Sequence, residues 1–395
     1  MSGQGMIIEI GSYQLNKFGK VICGDTFMSC KVASENRYVA VLSDGLGSGV
    51  KASMLSSLTA SMAIGFRKRH KPVVKLSKVI METLPVDSVR NISYSTFSIV
   101  DVDYDGDTTV VEYGNPTYLL WRNGEFILQE KEKMEVYQND KRTHIYVSKF
   151  NLLDNDRLIM VTDGVTQSGI GNAEMPFGWE IEGLQEFIAE RVNQDPTISA
   201  RELSRAIVRR ANKNDIFRIK DDTSCAIIYK REPRKLLFCT GPPFSEEKDR
   251  FLGEKVASFE GKIIISGGIT AKIISRELNR EIVCPPLEEI SSGLPPISKM
   301  EGIDLVSEGI ITLGRVAEIF DNMKLFEKSE QNAANKIVNL LINADIIDVI
   351  VGTRLNEAHH DPNYPLELDI RRNVINRICR TLETKYLKQV NVQFI

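Results

Sequence analysis

One change of pattern divides this chain. Up to about residue 230 the sequence reads as strands joined by hairpin turns and interrupted by two long helical stretches. Beyond the charged run Lys230-Arg231-Glu232-Pro233-Arg234-Lys235 it reads as strand, glycine-rich turn and helix, repeated. Hairpin-joined strands predict antiparallel sheets, and strand–turn–helix repeats predict a parallel one. Two domains are therefore expected, over 1–232 and 236–395, and 395 residues are enough for both.

In the first part, the apolar run 37–42 stops at Ser43-Asp44-Gly45. Residues 53–69 carry Met54, Leu55, Leu58, Met62 and Phe66 at helical spacing, and a second helix is expected from Pro72 through Leu84. Strands are expected at 95–102, 108–113 and 118–121, with Asp105-Gly106 and Asn123-Gly124 as hairpin turns. The buried-type strand 157–162 ends in Asp163-Gly164, helices follow near 181–193 and 199–213, and Asp221-Asp222-Thr223 opens a final strand, 224–229. Sheets covered by helices are the expected result, an α/β class. In the second part, strands end at Thr240-Gly241-Pro242-Pro243, Ser266-Gly267-Gly268-Ile269-Thr270, Ser307-Glu308-Gly309-Ile310 and Gly352-Thr353-Arg354. That is a smaller α/β domain with a mainly parallel sheet.

Composition excludes several functions. Lys and Arg number 50 against 53 Asp and Glu, a net charge of −3, which argues against a nucleic-acid partner. No apolar stretch approaches the roughly 18 residues that cross a bilayer. The start, Met1-Ser2-Gly3-Gln4-Gly5, lacks the charged and apolar regions of a secretory signal. The 6 cysteines form no CxxC pair, so neither a disulfide framework nor a zinc finger is expected. A cytoplasmic protein with no membrane or nucleic-acid partner is the expectation.

The chemistry candidates are aspartates at strand ends. Asp44 and Asp163 each end an apolar strand before a glycine, Asp221 and Asp222 begin one, and Asp25 sits in Cys23-Gly24-Asp25-Thr26. Asp-Gly is also ordinary turn chemistry, the reading kept for Asp105-Gly106. Carboxylates that converge on one sheet edge repel and demand cations. Hard oxygen ligands suit Mg²⁺ or Mn²⁺. Two such ions can activate a water and clamp a phosphoryl group.

Gly24-Asp25, Ser43-Asp44-Gly45-Leu46-Gly47-Ser48-Gly49, Thr162-Asp163-Gly164-Val165-Thr166 and Asp221-Asp222-Thr223-Ser224 occur in that order. Residues 10–230 thereby resemble the PPM family of metal-dependent Ser/Thr protein phosphatases, in its bacterial SpoIIE-like branch. The resemblance implies an α–β–β–α sandwich, two Mn²⁺ or Mg²⁺ ions, and hydrolysis of phosphoserine or phosphothreonine in a partner protein without a phosphoenzyme. It implies a small phosphorylated signalling substrate, such as an anti-sigma factor antagonist. Asp44 resembles the aspartate that bridges both ions, the Gly45 carbonyl and Asp25 resemble ligands of the second, and Asp163 and Asp221 ligands of the first. Asp222 is the alternative to Asp221. Gly47, Ser48 and Gly49 would free the turn before the next helix, whose N-terminal N–H groups could help hold an anion. No phosphate-binding arginine near the N-terminus matches, as is common in this branch. A second reading is a pseudophosphatase scaffold whose C-terminal domain senses an anionic ligand or a protein partner.

Other residues have plainer readings. Cys23 and Cys30 flank Asp25 and could form a redox switch, but read first as strand cysteines. His70 closes a basic cluster at a helix end, and His359-His360-Asp361 is a weak ligand pair because adjacent side chains diverge. The Met54, Leu58, Met62 stripe reads as core, with a homodimer face as the alternative. Residues 334–341 and 371–388 read as amphipathic helices able to pack across a dimer. At the strand ends of the second domain, Ser266, Gly267, Gly268, Thr270, Ser307, Gly309 and Arg354 suit an anionic ligand.

Overall fold

The computed structural model describes residues 6–69, 73–83, 95–138, 141–173, 175–284, 297–322, 332–354, 364–386 and 388–395. His70, Leu84 and the His359-His360-Asp361 run lie outside the described residues. The chain divides into two units, Met1–Glu232 and Pro233–Ile395.

The first unit runs β1 (Ile7–Leu15), β2 (Thr26–Val32), β3 (Arg37–Gly45), α1 (Val50–Lys68), α2 (Val73–Thr83), β4 (Ser95–Asp103), β5 (Asp107–Tyr113), β6 (Leu119–Arg122), β7 (Glu125–Phe126), β8 (Glu132–Gln138), β9 (Lys141–Asn151), β10 (Arg157–Val161), α3 (Asp163–Thr166), α4 (Glu180–Gln194), α5 (Ala200–Asn214) and β11 (Thr223–Arg231). Its strands form a five-stranded sheet, β1-β11-β10-β6-β7, and a six-stranded sheet, β2-β3-β4-β5-β9-β8. All pairings in both are antiparallel.

Side-chain alternation explains the layering. On β3, Ala40 and Leu42 join Ala226 and Ile228 of β11 in the core between the sheets. Val39 and Val41 turn the other way, into a core shared with Ala60 and Ala63 of α1 and Leu76 and Ile80 of α2. Cys225, Ile227 and Tyr229 of β11 likewise meet Leu184 and Ile188 of α4 and Leu203 and Ile207 of α5. Central strands covered on both faces read as unbroken apolar runs rather than alternating ones. The result is the expected α–β–β–α sandwich.

Three expectations need correction. Strand β3 does not break at Ser43: Ser43, Asp44 and Gly45 stay in register with Phe97, Thr96 and Ser95 of β4. Backbone pairing to a long neighbour outweighs the turn propensity of Asp-Gly. Nor is the methionine stripe of α1 wholly core, since Met54 is 68% and Leu58 43% exposed and only Met62 packs against the core. The helix instead buries its small residues, Ala52, Ser56, Thr59, Ala60 and Ala63, which let it lie close on the sheet. Strands β1, β2, β8 and β9 carry too little apolar alternation to be read from sequence.

The second unit runs β12 (Lys235–Thr240), α6 (Glu247–Ala257), β13 (Lys262–Ser266), α7 (Gly268–Leu278), β14 (Ser298–Met300), β15 (Ile303–Ser307), α8 (Ile310–Asp321), α9 (Ala333–Asn343), β16 (Ile346–Val351), α10 (Tyr364–Thr384) and β17 (Gln389–Phe394). The sheet order is β14-β15-β13-β12-β16-β17, and only the β14–β15 pair is antiparallel. The third correction falls here. Ile337, Val338 and Leu341 of α9 and Ile375, Ile378 and Leu382 of α10 are buried in the unit's own core. Their apolar faces are occupied within the unit and do not await a dimer partner. Among the described residues no helix is long and apolar enough to cross a membrane.

A buried ion cluster fixes the far end of α1. Asp101 of β4 accepts from Arg37 Nη1 and from Arg67 Nε, both at 2.6 Å, while Arg37 Nη2 donates to the Arg67 carbonyl at 3.0 Å. Asp101 is 5% exposed, so its removal takes from both guanidinium groups a buried carboxylate that water replaces poorly, leaving Arg37 with Glu35 and the Arg67 carbonyl. We expect Asp101→Ala to destabilise the chain by about 3–5 kcal/mol. A chemical-denaturation midpoint unchanged by the substitution would show that the cluster does not hold the helix.

Candidate metal centre

Antiparallel pairing brings the aspartates together. Thr26 at the start of β2 faces Ser43 near the end of β3, so Asp25 and Asp44 share one edge of the six-stranded sheet. In the other sheet, β10 ends where β11 begins, and the Thr162 N–H donates to the Ser224 carbonyl at 3.0 Å. Asp163 and Asp221 flank that junction. The two edges are joined by Thr162: its Oγ1 donates to Asp25 Oδ2 at 2.9 Å and accepts from the Ser224 N–H at 3.0 Å.

The electrostatics follow from crowding. Burial, and then the charges of Asp25, Asp163 and Asp221, push the Asp44 carboxyl well above the usual carboxylate range. Burial does the same to Asp25, opposed by the Ser224 and Thr162 hydroxyls and reinforced by Asp222 and Asp163. Asp221 is also raised by burial, opposed by Lys17 at 3.8 Å. A raised carboxyl is one whose ionised form lacks compensation, which a cation would supply.

The five aspartates are not equivalent. Asp222 is 3% exposed, and both its oxygens accept backbone N–H groups at 2.9 Å, Lys17 on Oδ1 and Gly24 on Oδ2. It pins the 16–24 segment across the sheet edge. Asp221 is half-buried, its Oδ1 accepting the N–H of adjacent Asp222 at 3.0 Å and lying 3.8 Å from Lys17 Nζ, and Asp163 accepts from Gln167 Nε2 at 3.1 Å. Asp25 Oδ1 is buried with no hydrogen-bond partner. Among the described residues no group of three or more His, Cys, Asp or Glu side chains stands ready to hold an ion. The donor chemistry nonetheless fits Mg²⁺ or Mn²⁺, being all carboxylate oxygen with one orphaned, buried acceptor.

Gly45 is glycine for a packing reason. A Cβ there would lie 2.2 Å from the Ala52 carbonyl oxygen, so α1 rests directly on the end of β3. Gly47 and Gly49 both have left-handed φ, 95° and 82°, and Gly49 caps α1 without a side-chain bond. Cys23 and Cys30 are free thiols, and burial pushes that of Cys23 up. Sequence reasoning assigned no role to Thr162, Lys17 or Gln167. Thr162 carried a signal, its place before Asp163; Lys17 carried none.

In the second unit, Ser266, Gly267, Gly268 and Thr270 lie at the β13–α7 junction and Ser307 and Gly309 at the β15–α8 junction. Ser307 Oγ bonds to Ser266 Oγ at 3.3 Å, and Ser266 Oγ donates to the Glu308 carbonyl at 2.9 Å. Arg354 lies after β16, with Glu246 at 3.8 Å.

The contrast between Asp221 and Asp222 is testable. Asn at 222 would turn an amide donor towards one of two backbone N–H groups, so Asp222→Asn should cost about 1–3 kcal/mol. Asp221→Asn should leave stability within about 0.5 kcal/mol. Equal denaturation midpoints for the two variants would refute the assignment.

Comparison with known proteins places the first unit. Comparison with curated proteins gives no match. Among solved structures, the phosphatase domain with a regulatory-domain fragment of SpoIIE from Bacillus subtilis is 16% identical with a TM-score of 0.45. The match covers 58% of this chain and 65% of that one, just under two thirds of its length. The RsbU and RsbW domains of Rv1364c from Mycobacterium tuberculosis are 16% identical, with a TM-score of 0.45, over 64% of this chain and 68% of that one. RsbX in complex with magnesium is 20% identical, with a TM-score of 0.40, over 56% of this chain and 95% of that one. The family model for Stage II sporulation protein E (SpoIIE) matches residues 34–231, half of the chain, and the chain therefore belongs to the SpoIIE family of PPM-type phosphatases.

Proposed function

We propose that the first unit hydrolyses phosphoserine or phosphothreonine in a partner protein, using two Mn²⁺ or Mg²⁺ ions. The observation that carries this reading is the convergence of Asp25, Asp44, Asp163 and Asp221 from four chain segments on one sandwich edge, with Asp44 raised first by burial and then by the other three. Family membership supplies the reaction class. Asp44 would help hold both ions, Asp163 and Asp221 one of them, and Asp25 and the Gly45 carbonyl the other. When bound, such ions provide a nucleophilic water at neutral pH and neutralise charge on the phosphoryl group.

The chain's own residues supply order. Thr162 holds Asp25 in place by its hydrogen bond, leaving Oδ1 available. Asp222, occupied by two backbone N–H groups, fixes the loop before Asp25 and is therefore proposed as a positioning residue. Lys17 neutralises part of the Asp221 charge. The substrate proposed is a small phosphorylated signalling protein, such as an anti-sigma factor antagonist, on the strength of the family alone.

The test is Mn²⁺-dependent phosphate release from phosphorylated proteins of the source cells, comparing wild type with Asp44→Asn. Metal chemistry contributes several kcal/mol to the barrier, so the variant should lose at least about a hundredfold in rate. Release that survives the substitution, or that persists in EDTA, would rule out this centre. Absence of release from both proteins, folded and supplied with Mn²⁺, would favour the scaffold reading.

A further inference from the structure

The second unit is doubly wound. Its parallel strands stand in the order β15-β13-β12-β16-β17. Helices α6 and α7 cover one face, and α8, α9 and α10 the other. Sheets with this connectivity bind ligands outside the carboxyl ends of their strands. At those ends two independent features coincide.

The first is a pair of open helix starts. Helices α7 and α8, of 11 and 12 residues, begin on Gly267 and Gly309 with no side-chain cap, as α1, α4 and α6 also do, whereas Ser199 caps α5 and Asn332 caps α9. Their first-turn N–H groups have no partner within the helix. The two starts are adjacent, since a Cβ on Gly309 would lie 3.6 Å from the Gly267 Cα.

The second is a set of buried hydroxyls without partners. Thr270, in the first turn of α7, and Thr312, in the first turn of α8, are 1% and 0% exposed. Neither Oγ1 has a hydrogen-bond partner, nor does that of Thr240 at the end of β12. Buried hydroxyls are normally satisfied, so three at one sheet edge mark a missing partner. The Thr270 hydroxyl lies beside Gly267: a Cβ there would meet Thr270 Oγ1 at 3.3 Å, Thr270 Cβ at 3.9 Å and the Gly241 nitrogen at 4.0 Å. Gly267 has φ 128°, which keeps that cradle clear of a side chain. The Glu308 carboxylate lies 3.5 Å from the corresponding point on Gly268. Ser266 and Ser307 are already bonded to each other, and so shape the cradle rather than line it.

We infer that this edge binds a nucleotide. Phosphate oxygens accept from the first-turn N–H groups of α7 and α8 and from the hydroxyls of Thr270 and Thr312. Glu308, which would repel a bare anion, accepts from the ribose hydroxyls. The phosphatase reading of the first unit plays no part in this assignment.

Isothermal titration of the full chain tests it, in EDTA so that phosphate cannot be recruited through divalent ions at the acidic centre. The probes are ADP, ribose 5-phosphate and inorganic phosphate. ADP should bind saturably and most tightly. Thr270→Val and Thr312→Val should each weaken ADP by about tenfold, as expected for a lost hydrogen bond to a charged group. The ligand-free variants should melt at or above the wild-type temperature, because each loses an unpartnered buried hydroxyl. No saturable binding of any probe would overturn the proposal. So would inorganic phosphate binding as tightly as ADP, or folded variants that bind ADP like wild type.

Discussion

Repulsion among carboxylates is the constraint on which the first unit depends. Asp25, Asp44, Asp163 and Asp221 arrive from four separate chain segments, and burial raises the cost of charging Asp25, Asp44 and Asp221. Such a cluster stays assembled only if the backbone beneath it is held by other bonds. The strand register supplies most of these, with Asp44 still paired to Thr96 inside β3 and β4. Thr162 and Asp222 supply the rest, tying the two sheets and the 16–24 segment across the open edge.

The helix layer follows from the same edge. Helix α1 begins five residues after Gly45 and returns over the sheet, close enough that Ala52 excludes a Cβ from Gly45. Its buried face is made of Ala, Ser and Thr, so close approach rather than large apolar area holds it. The Arg37–Asp101–Arg67 cluster anchors its other end. The long apolar side chains Met54 and Leu58 remain outside.

The second unit solves a different problem. Parallel strands all end on the same side, and helix starts follow them there. Glycine N-caps at α7 and α8 leave donors without the side-chain caps that Asn332 and Ser199 give α9 and α5. Three threonine hydroxyls sit buried and unpartnered at the same edge. Acidic side chains gather at one edge of the first unit, and unpartnered hydroxyls at the carboxyl edge of the second unit's sheet.

Much was legible before any coordinates. The two-part division, the strands ending in Asp44 and Asp163, the helices near 181–193 and 199–213 and the parallel second sheet follow from local periodicity and turn residues, which act over a few positions. Strands β1, β2, β8 and β9 were not legible, because their stability comes from long-range pairing rather than from their own pattern. The Met54–Leu58 stripe misled for a related reason: helical spacing shows that a stripe exists, not which stripe meets the sheet. Local sequence thus determined which aspartates are candidates for the centre and which elements bear them. Only the tertiary structure decided that Asp222 is occupied by backbone N–H groups while Asp25 keeps a free oxygen, and that Thr270 and Thr312 lack partners. Those states depend on atoms brought close by folding from positions as far apart as residues 17 and 222, and no local pattern encodes them.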